Sequence, residues 1–207
     1  MFKAGIQLRS MLIVIFTLVV TLSSAQDIKE DFLQRMNEVN AKNTSIESDF
    51  VQKRTLSIMD EVLISSGKFL YKKPGFMKWD QLLPSQYYFI LNGDRVIRFD
   101  GEKRKTISAS SPQVSYFKDF ILGTVNGSMF ESKQFISTFS KVNDEVRVVL
   151  LPQQKEMKKR IESIQLVFSY DKMVLIELII MEKDGDKTAI YFSNQKFNTI
   201  SDSSIFN

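Results

Sequence analysis

The run Val174-Leu175-Ile176-Glu177-Leu178-Ile179-Ile180-Met181 is apolar at every position but Glu177. Successive side chains of a strand point to opposite faces, so a sheet with one wet face alternates apolar and polar residues. This run does not alternate. Neither do Val62-Leu63-Ile64, Phe69-Leu70-Tyr71 or Tyr87-Tyr88-Phe89-Ile90-Leu91. A chain built from such strands must cover both faces of its sheet. The cover is an ordinary layer of helices, a second copy of the chain, or space kept for an apolar guest. Met36, Met77, Met129, Met157, Met173 and Met181 supply soft, adaptable surface that suits a variable guest.

Two segments have the period of covering helices. Over residues 28–41, Ile28, Phe32, Met36 and Val39 recur at helical spacing, with Asp27 as the expected N-cap and Asn43-Thr44-Ser45 as the stop. Over residues 113–125, Val114, Phe117, Phe120, Ile121 and Thr124 share one face, bounded by Gly123 and Asn126-Gly127. The rest is short β-prone runs separated by turn residues. Asn92-Gly93 is the clearest hairpin signal, because both positions of such a turn need φ > 0. Asp100-Gly101, Asp171-Lys172 and Asp184-Gly185 mark further turns. About ten or eleven strands in sequence, with few helices, predict a mainly β fold with a curved or barrel-like antiparallel sheet rather than a parallel α/β fold. The tail from Asn198 is polar and reads as loose up to Ile205-Phe206.

Lys3 and Arg9, the uncharged run Met11–Leu22 and the small residues Ser23-Ser24-Ala25 have the pattern of a secretory signal, with cleavage expected before Gln26. The run is too short to span a bilayer, which needs ~20 apolar residues. Residues 26–207 are then expected to form a single exported domain, free in solution in the periplasm. The net charge of +4 includes Lys3 and Arg9, and no concentrated basic face points to nucleic acid. The densest basic run, Lys155-Glu156-Met157-Lys158-Lys159-Arg160, reads as a solvated turn or as a docking patch for an acidic membrane or partner. The chain has no Cys and no His. Disulfide staples, His-based metal sites and Ser-His or Cys-His nucleophiles are thereby excluded. Asp184-Gly185-Asp186 lacks the later ligands of a calcium loop and reads as a hairpin turn. No enzyme and no cofactor is expected.

The stretch 50–100 adds a resemblance. Phe50-Val51-Gln52-Lys53 is similar to an early F-x-Q-K strand of the LolA family of periplasmic lipoprotein carriers. Gly67 to Pro74 (GKFLYKKP) resembles the family's strand that ends in two basic residues and Pro. Trp79 follows that Pro by five positions, and Pro84 to Gly93 resembles the next hairpin. Val149-Leu150-Leu151-Pro152 and Thr188 to Asn198, with Phe192 and Phe197, resemble later strands. Two positions depart from the pattern: Lys73 stands where better-known members carry Arg, and Met77 where an aromatic is expected.

The resemblance implies a half-open antiparallel β-barrel closed by an α-helical lid around an apolar cavity. It implies a carrier that takes acylated lipoprotein cargo from an inner-membrane ABC transporter and passes it to an outer-membrane acceptor, acting as a monomer. The segment 113–125 would be lid-like and Lys73 a latch favouring the closed state. Met77 and Trp79 are expected to line the cavity, with Phe50, Phe69, Tyr88, Ile90, Phe120 and Ile121 as further lining. A relative that carries another acyl lipid is the nearest alternative. A module that binds a protein through its apolar face is a second. A lipid hydrolase is disfavoured by the absence of His and of a G-x-S-x-G elbow.

Overall fold

The computed structural model describes residues 27–207 apart from 60, 94 and 109–111. The expected export signal, residues 1–25, lies outside the described residues.

The first described element is helix α1, residues 27–42. Six strands follow: β1 (Ser45–Leu56), β2 (Glu61–Lys72), β3 (Phe76–Leu83), β4 (Tyr87–Asn92), β5 (Arg95–Phe99) and β6 (Arg104–Ser108). Helix α2 (Pro112–Asn126) and a 3-10 turn (Ser128–Glu131) lead to β7 (Phe135–Val142) and β8 (Glu145–Pro152). The short helix α3 (Lys155–Lys158) precedes β9 (Ile161–Ser169), β10 (Val174–Glu182) and β11 (Lys187–Phe197). The basic run at 155–160 is thus a short helical turn, Lys155–Lys158, with its charged residues exposed between β8 and β9.

All eleven strands belong to one antiparallel sheet in the order β6-β5-β4-β3-β2-β1-β11-β10-β9-β8-β7. The chain walks outward from β1 to β6, crosses through α2, and walks back from β7 to β11, which pairs with β1. Adjacent strands are hairpins, so their partners are local. The one long-range closure is β1 with β11, which aligns Phe50 with Phe192 and Gln52 with Ile190. The sheet is open: β6 and β7 are its edges.

Alternation decides what each strand buries. On the inner face Phe50, Phe69, Met77, Leu91, Val148 and Leu166 join one large core under α1. Phe32 of α1 is fully buried at its centre, with ring centroids of Phe130, Phe139 and Phe168 at 5.2, 5.5 and 5.1 Å. Such aromatic pairs add ~0.5–1.5 kcal/mol each beyond their buried area. Arg35, one turn on, donates to the Tyr170 carbonyl at 2.9 Å and lies over the Tyr170 ring. These contacts fix α1 to the β7–β9 half of the sheet.

The outer face has its own small core. Ile90 of β4 and Ile97 of β5 pack with Phe206, which is fully buried, and with Tyr88, Phe76 and Ile200 around them. The C-terminal tail is therefore docked, contrary to the reading of a loose polar end. Lys72 donates to the Ser201 carbonyl at 2.7 Å, the Asn198 backbone N–H to Ser45 at 3.0 Å, and Asn92 Nδ2 to the Phe206 carbonyl at 3.2 Å. The β4–β5 turn also differs by one position from expectation. Asn92 pairs with Arg95 as the last rung, so Gly93, at φ 59°, leads the turn.

Candidate functional site

Between the inner face of the sheet and the helices lies a partly open cavity of about 590 Å³. Helix α1 brings Met36, Val39 and Asn40 to its wall, α2 brings Phe120, Ile121, Thr124 and Val125, and α3 brings Met157. The sheet contributes Phe69, Trp79 and Phe89 from the early strands and Phe168, Leu178 and Phe192 from the late ones. No charged side chain among the described residues lines it. The few polar neighbours are amides and hydroxyls, such as Ser48, Gln52 and Gln195.

The strand geometry explains why these residues reach the hollow. In β10 the pairing with β9 slips between Leu175 and Glu177, a bulge at Ile176. A bulge resets the side-chain phase. Val174, Leu175, Leu178 and Ile180 all reach the cavity as a result, which accounts for much of the non-alternating run. In β2, Gly67 faces Phe50 on β1. A Cβ there would stand 2.0 Å from the Asp80 carbonyl oxygen, so the close approach of β3 requires glycine. With no side chain at that level, Phe50 and Trp79 meet across β2 and stack with centroids 3.8 Å apart.

Of the residues singled out in the sequence, Phe69, Trp79, Phe120 and Ile121 stand on the cavity wall. Phe50 and Met77 lie on the same face but are packed into the core behind it, each about 1% exposed. Tyr88 and Ile90 are corrected: they point to the outer face, Tyr88 stacked on Phe99 at 5.0 Å and Ile90 against the tail. Their neighbours Tyr87 and Phe89 take the inward positions. The side chains of Val114 and Phe117 lie outside those described. Also on the wall, but not singled out in the sequence as lining, are Val39 and Asn40 of α1 and the late-strand residues Phe168, Leu178 and Phe192. The helical period of 28–41 could have found Val39, and the apolar run 174–181 marks β10 without saying which of its residues face inward.

Lys73 stands exposed at the β2–β3 turn, and its Nζ donates to the backbone carbonyl of Asn40. Asn40 lies in the last turn of α1, where a cation is favoured; its carbonyl also accepts the Asn43 backbone N–H at 3.3 Å. The lysine thus ties the β1–β3 half of the sheet to the helix that Phe32 and Arg35 tie to the other half. Its partner is α1, not the segment 113–125.

The cavity can do little chemistry of its own. It presents no ionisable group to a guest beyond the Tyr87 phenol, and no group of three candidate metal ligands occurs among the described residues. No described helix is long and apolar enough to cross a membrane. What the walls offer is apolar area with a few hydrogen-bonding groups, the usual make-up of a small-molecule site.

Fold and site together define a binding protein in which an open antiparallel sheet and its helices enclose an uncharged, apolar hollow. Residues 41–207 match the family described as outer membrane lipoprotein carrier protein LolA, and the chain belongs to that family. It is 24% identical over 201 residues to the outer-membrane lipoprotein carrier protein of Pseudoalteromonas translucida, covering 97% of this chain and 91% of the relative. The solved structure of MucB shares the fold at a TM-score of 0.50 and 15% identity, over 88% of this chain and 63% of that one. A conserved protein of Thermus thermophilus shares it at a TM-score of 0.51 and 7% identity, over 82% and 87% of the two chains.

Proposed function

We propose that the chain is a periplasmic carrier that shelters the acyl chains of lipoproteins in this cavity and moves them from the inner to the outer membrane. The observation that carries the reading is the hollow itself: about 590 Å³ of apolar-walled space that the chain's own side chains leave unfilled. Protein interiors are close-packed, and unfilled apolar space forfeits dispersion contacts. A cavity of ~150 Å³ already binds small apolar molecules. This one has room for hydrocarbon chains and no charge to repel them.

The energetics require a release device. Each buried methylene contributes ~0.8 kcal/mol, so two or three full acyl chains would exceed the practical ceiling of affinity near ~20 kcal/mol. A carrier that kept all of that energy would not let go. An incompletely closed cavity lowers the gain. So does a closed empty state that competes with cargo, and the Lys73–Asn40 bond favours that state by holding α1 to the strand end. The donor would be an inner-membrane ABC lipoprotein transporter and the acceptor an outer-membrane protein. The low identity to named carriers fits a relative with its own cargo range.

Native mass spectrometry of the protein purified from the periplasm of its own cells tests the proposal. Adducts with the mass of triacylated or diacylated lipoproteins are expected. Protein that is free of acylated adducts, or that carries an unmodified protein at fixed stoichiometry, contradicts it.

A further inference from the structure

The apolar run Val62-Leu63-Ile64 is left uncovered by the fold. These residues lie near the start of β2, where the strand pairs with β1: Thr55, Arg54 and Lys53 are their partners, while the pairing with β3 begins only at Ser66, opposite Leu83. The β1–β2 hairpin therefore stands out past the end of β3. Alternation sends Val62 and Ile64 to one face of it and Leu63 to the other, and each is about half exposed. Ile58 and Met59 at the tip are exposed at 92% and 61%, and Leu83 at the foot is exposed as well. Exposed apolar residues scattered singly are ordinary, but a contiguous group marks an interaction site. Cations flank this one. The β10–β11 turn lies against the tip, with Ser57 Oγ donating to the Asp184 carbonyl at 2.8 Å, and the Lys183 backbone N–H donates to the Arg160 carbonyl at 2.7 Å. Lys53, Arg160, Lys183 and Lys187 are exposed, and none of them is in an ion pair among the described residues. The neighbouring acids are engaged: Asp186 with Ser57 and Arg54, Glu182 with Arg54 at 4.0 Å, and Asp184 with the Asp186 backbone N–H at 3.2 Å.

We propose that this hairpin is a wedge that docks the protein reversibly on a lipid bilayer containing anionic lipid. Its shape selects the occupant. A flat partner surface, or a second copy of this sheet, covers one face of a hairpin. Here both faces and the tip are apolar, and lipid closes round such a wedge from every side while its phosphates meet the flanking cations. The sequence places Asp60 and Glu61 next to the tip, and carboxylates enter hydrocarbon only at a cost. The wedge therefore reaches the boundary between headgroups and acyl chains and stops there. Turns of an antiparallel sheet alternate between its two ends, so the β1–β2 turn shares an end with α3 and with the first residues of β4 and β11. Met157, Tyr87 and Thr188, which stand at that end, line the cavity. Docking thus brings the bilayer to one end of the hollow. The inference goes beyond the carrier reading and does not depend on it.

The chain has no Cys, so Met59→Cys carries a single environment-sensitive fluorophore at the tip, and Val142→Cys carries the same label at the opposite end of the sheet. With vesicles of phosphatidylcholine and phosphatidylglycerol, the emission of the first is expected to shift to the blue and that of the second to stay unchanged. Unlabelled protein should sediment with the same vesicles, less so as salt is raised. Ile58→Ser combined with Met59→Ser should weaken that binding about tenfold or more at an unchanged melting temperature. Lys183→Glu combined with Lys187→Glu should remove the preference over vesicles of phosphatidylcholine alone. Wild-type protein that ignores both kinds of vesicle, a serine variant that binds as wild type does, or a phosphatidylglycerol preference that survives the glutamate variant overturns the inference. A dimer that the serine variant loses in sedimentation velocity overturns it in favour of a second copy. Binding to native membranes that disappears when those membranes are treated with protease overturns it in favour of a protein partner. Each of these results leaves the carrier reading in place.

Discussion

Trp79 stacks on Phe50 with ring centroids 3.8 Å apart and planes 26° from parallel, across the strand that lies between them. One ring is core and the other is wall: Phe50 is about 1% exposed, while Trp79 borders the cavity and meets Phe69 and Phe192 at 6.4 and 6.5 Å. The pair joins the stability of the sheet to the shape of the hollow, and Gly67 is the residue that allows it.

Gly67→Ala is expected to destabilise the protein by ~2 kcal/mol or more, the scale of overpacking in a tight core. The added Cβ would meet Asp80 backbone rather than a movable side chain. A denaturant midpoint unchanged from wild type would contradict the account of β2–β3 packing.

Phe32→Ala should cost ~3–5 kcal/mol, as large aromatic truncations do. It removes the ring at the centre of the cluster with Phe130, Phe139 and Phe168. Leu178→Phe should behave in the opposite way. Leu178 borders the cavity, so the larger side chain can occupy vacant space. Its melting temperature is expected to stay within a few degrees of wild type while acyl affinity falls about tenfold or more. Equal effects of the two variants on binding, measured per folded molecule, would argue against a separable cavity.

Lys73→Leu removes the bond to the Asn40 carbonyl. Lys73 is exposed, and an exposed charged contact contributes ~1 kcal/mol or less to stability. The fold should hold. The closed empty state should be less favoured, so cargo loads normally and transfers more slowly to acceptor membranes. An unchanged transfer rate would remove the latch from the account.

Asp186 sets an acid limit on stability. Its carboxylate accepts from the Ser57 backbone N–H at 2.9 Å and the Ser57 hydroxyl at 3.2 Å, with Arg54 at 3.4 Å. These contacts, led by the Ser57 backbone bond, hold its carboxyl below the ordinary value. A carboxylate lowered on folding contributes stability that is fully present above the ordinary carboxylate range and is lost as pH falls through the lowered value. Melting temperature should therefore fall as pH drops below about 4, the ordinary Asp value, and on through the lowered one, and Asp186→Asn should make that fall shallower. An identical acid limb in the variant would contradict the assignment.

The sequence showed the architecture well and the site in part, for physical reasons. Hairpin order needs only local signals, and turns such as Gly93 and Gly185 carry them. The phase of β4 was illegible because Tyr87 to Leu91 is apolar on both faces. The deciding partners, Ile200 and Phe206, lie a hundred positions away in a tail whose composition is polar. The bulge at Ile176 leaves no local mark either, so the four β10 residues on the wall could not be told from their neighbours.

Trp79 is the chain's one tryptophan and stands in the cavity wall, which makes occupancy directly measurable. Titration with a fatty acyl ester brominated along its chain should quench tryptophan emission saturably, because bromine quenches only at near contact. Competition with the unbrominated ester should restore the signal. Emission that stays unquenched while the lipid is shown by other means to be bound would place the guest outside the hollow and contradict the account.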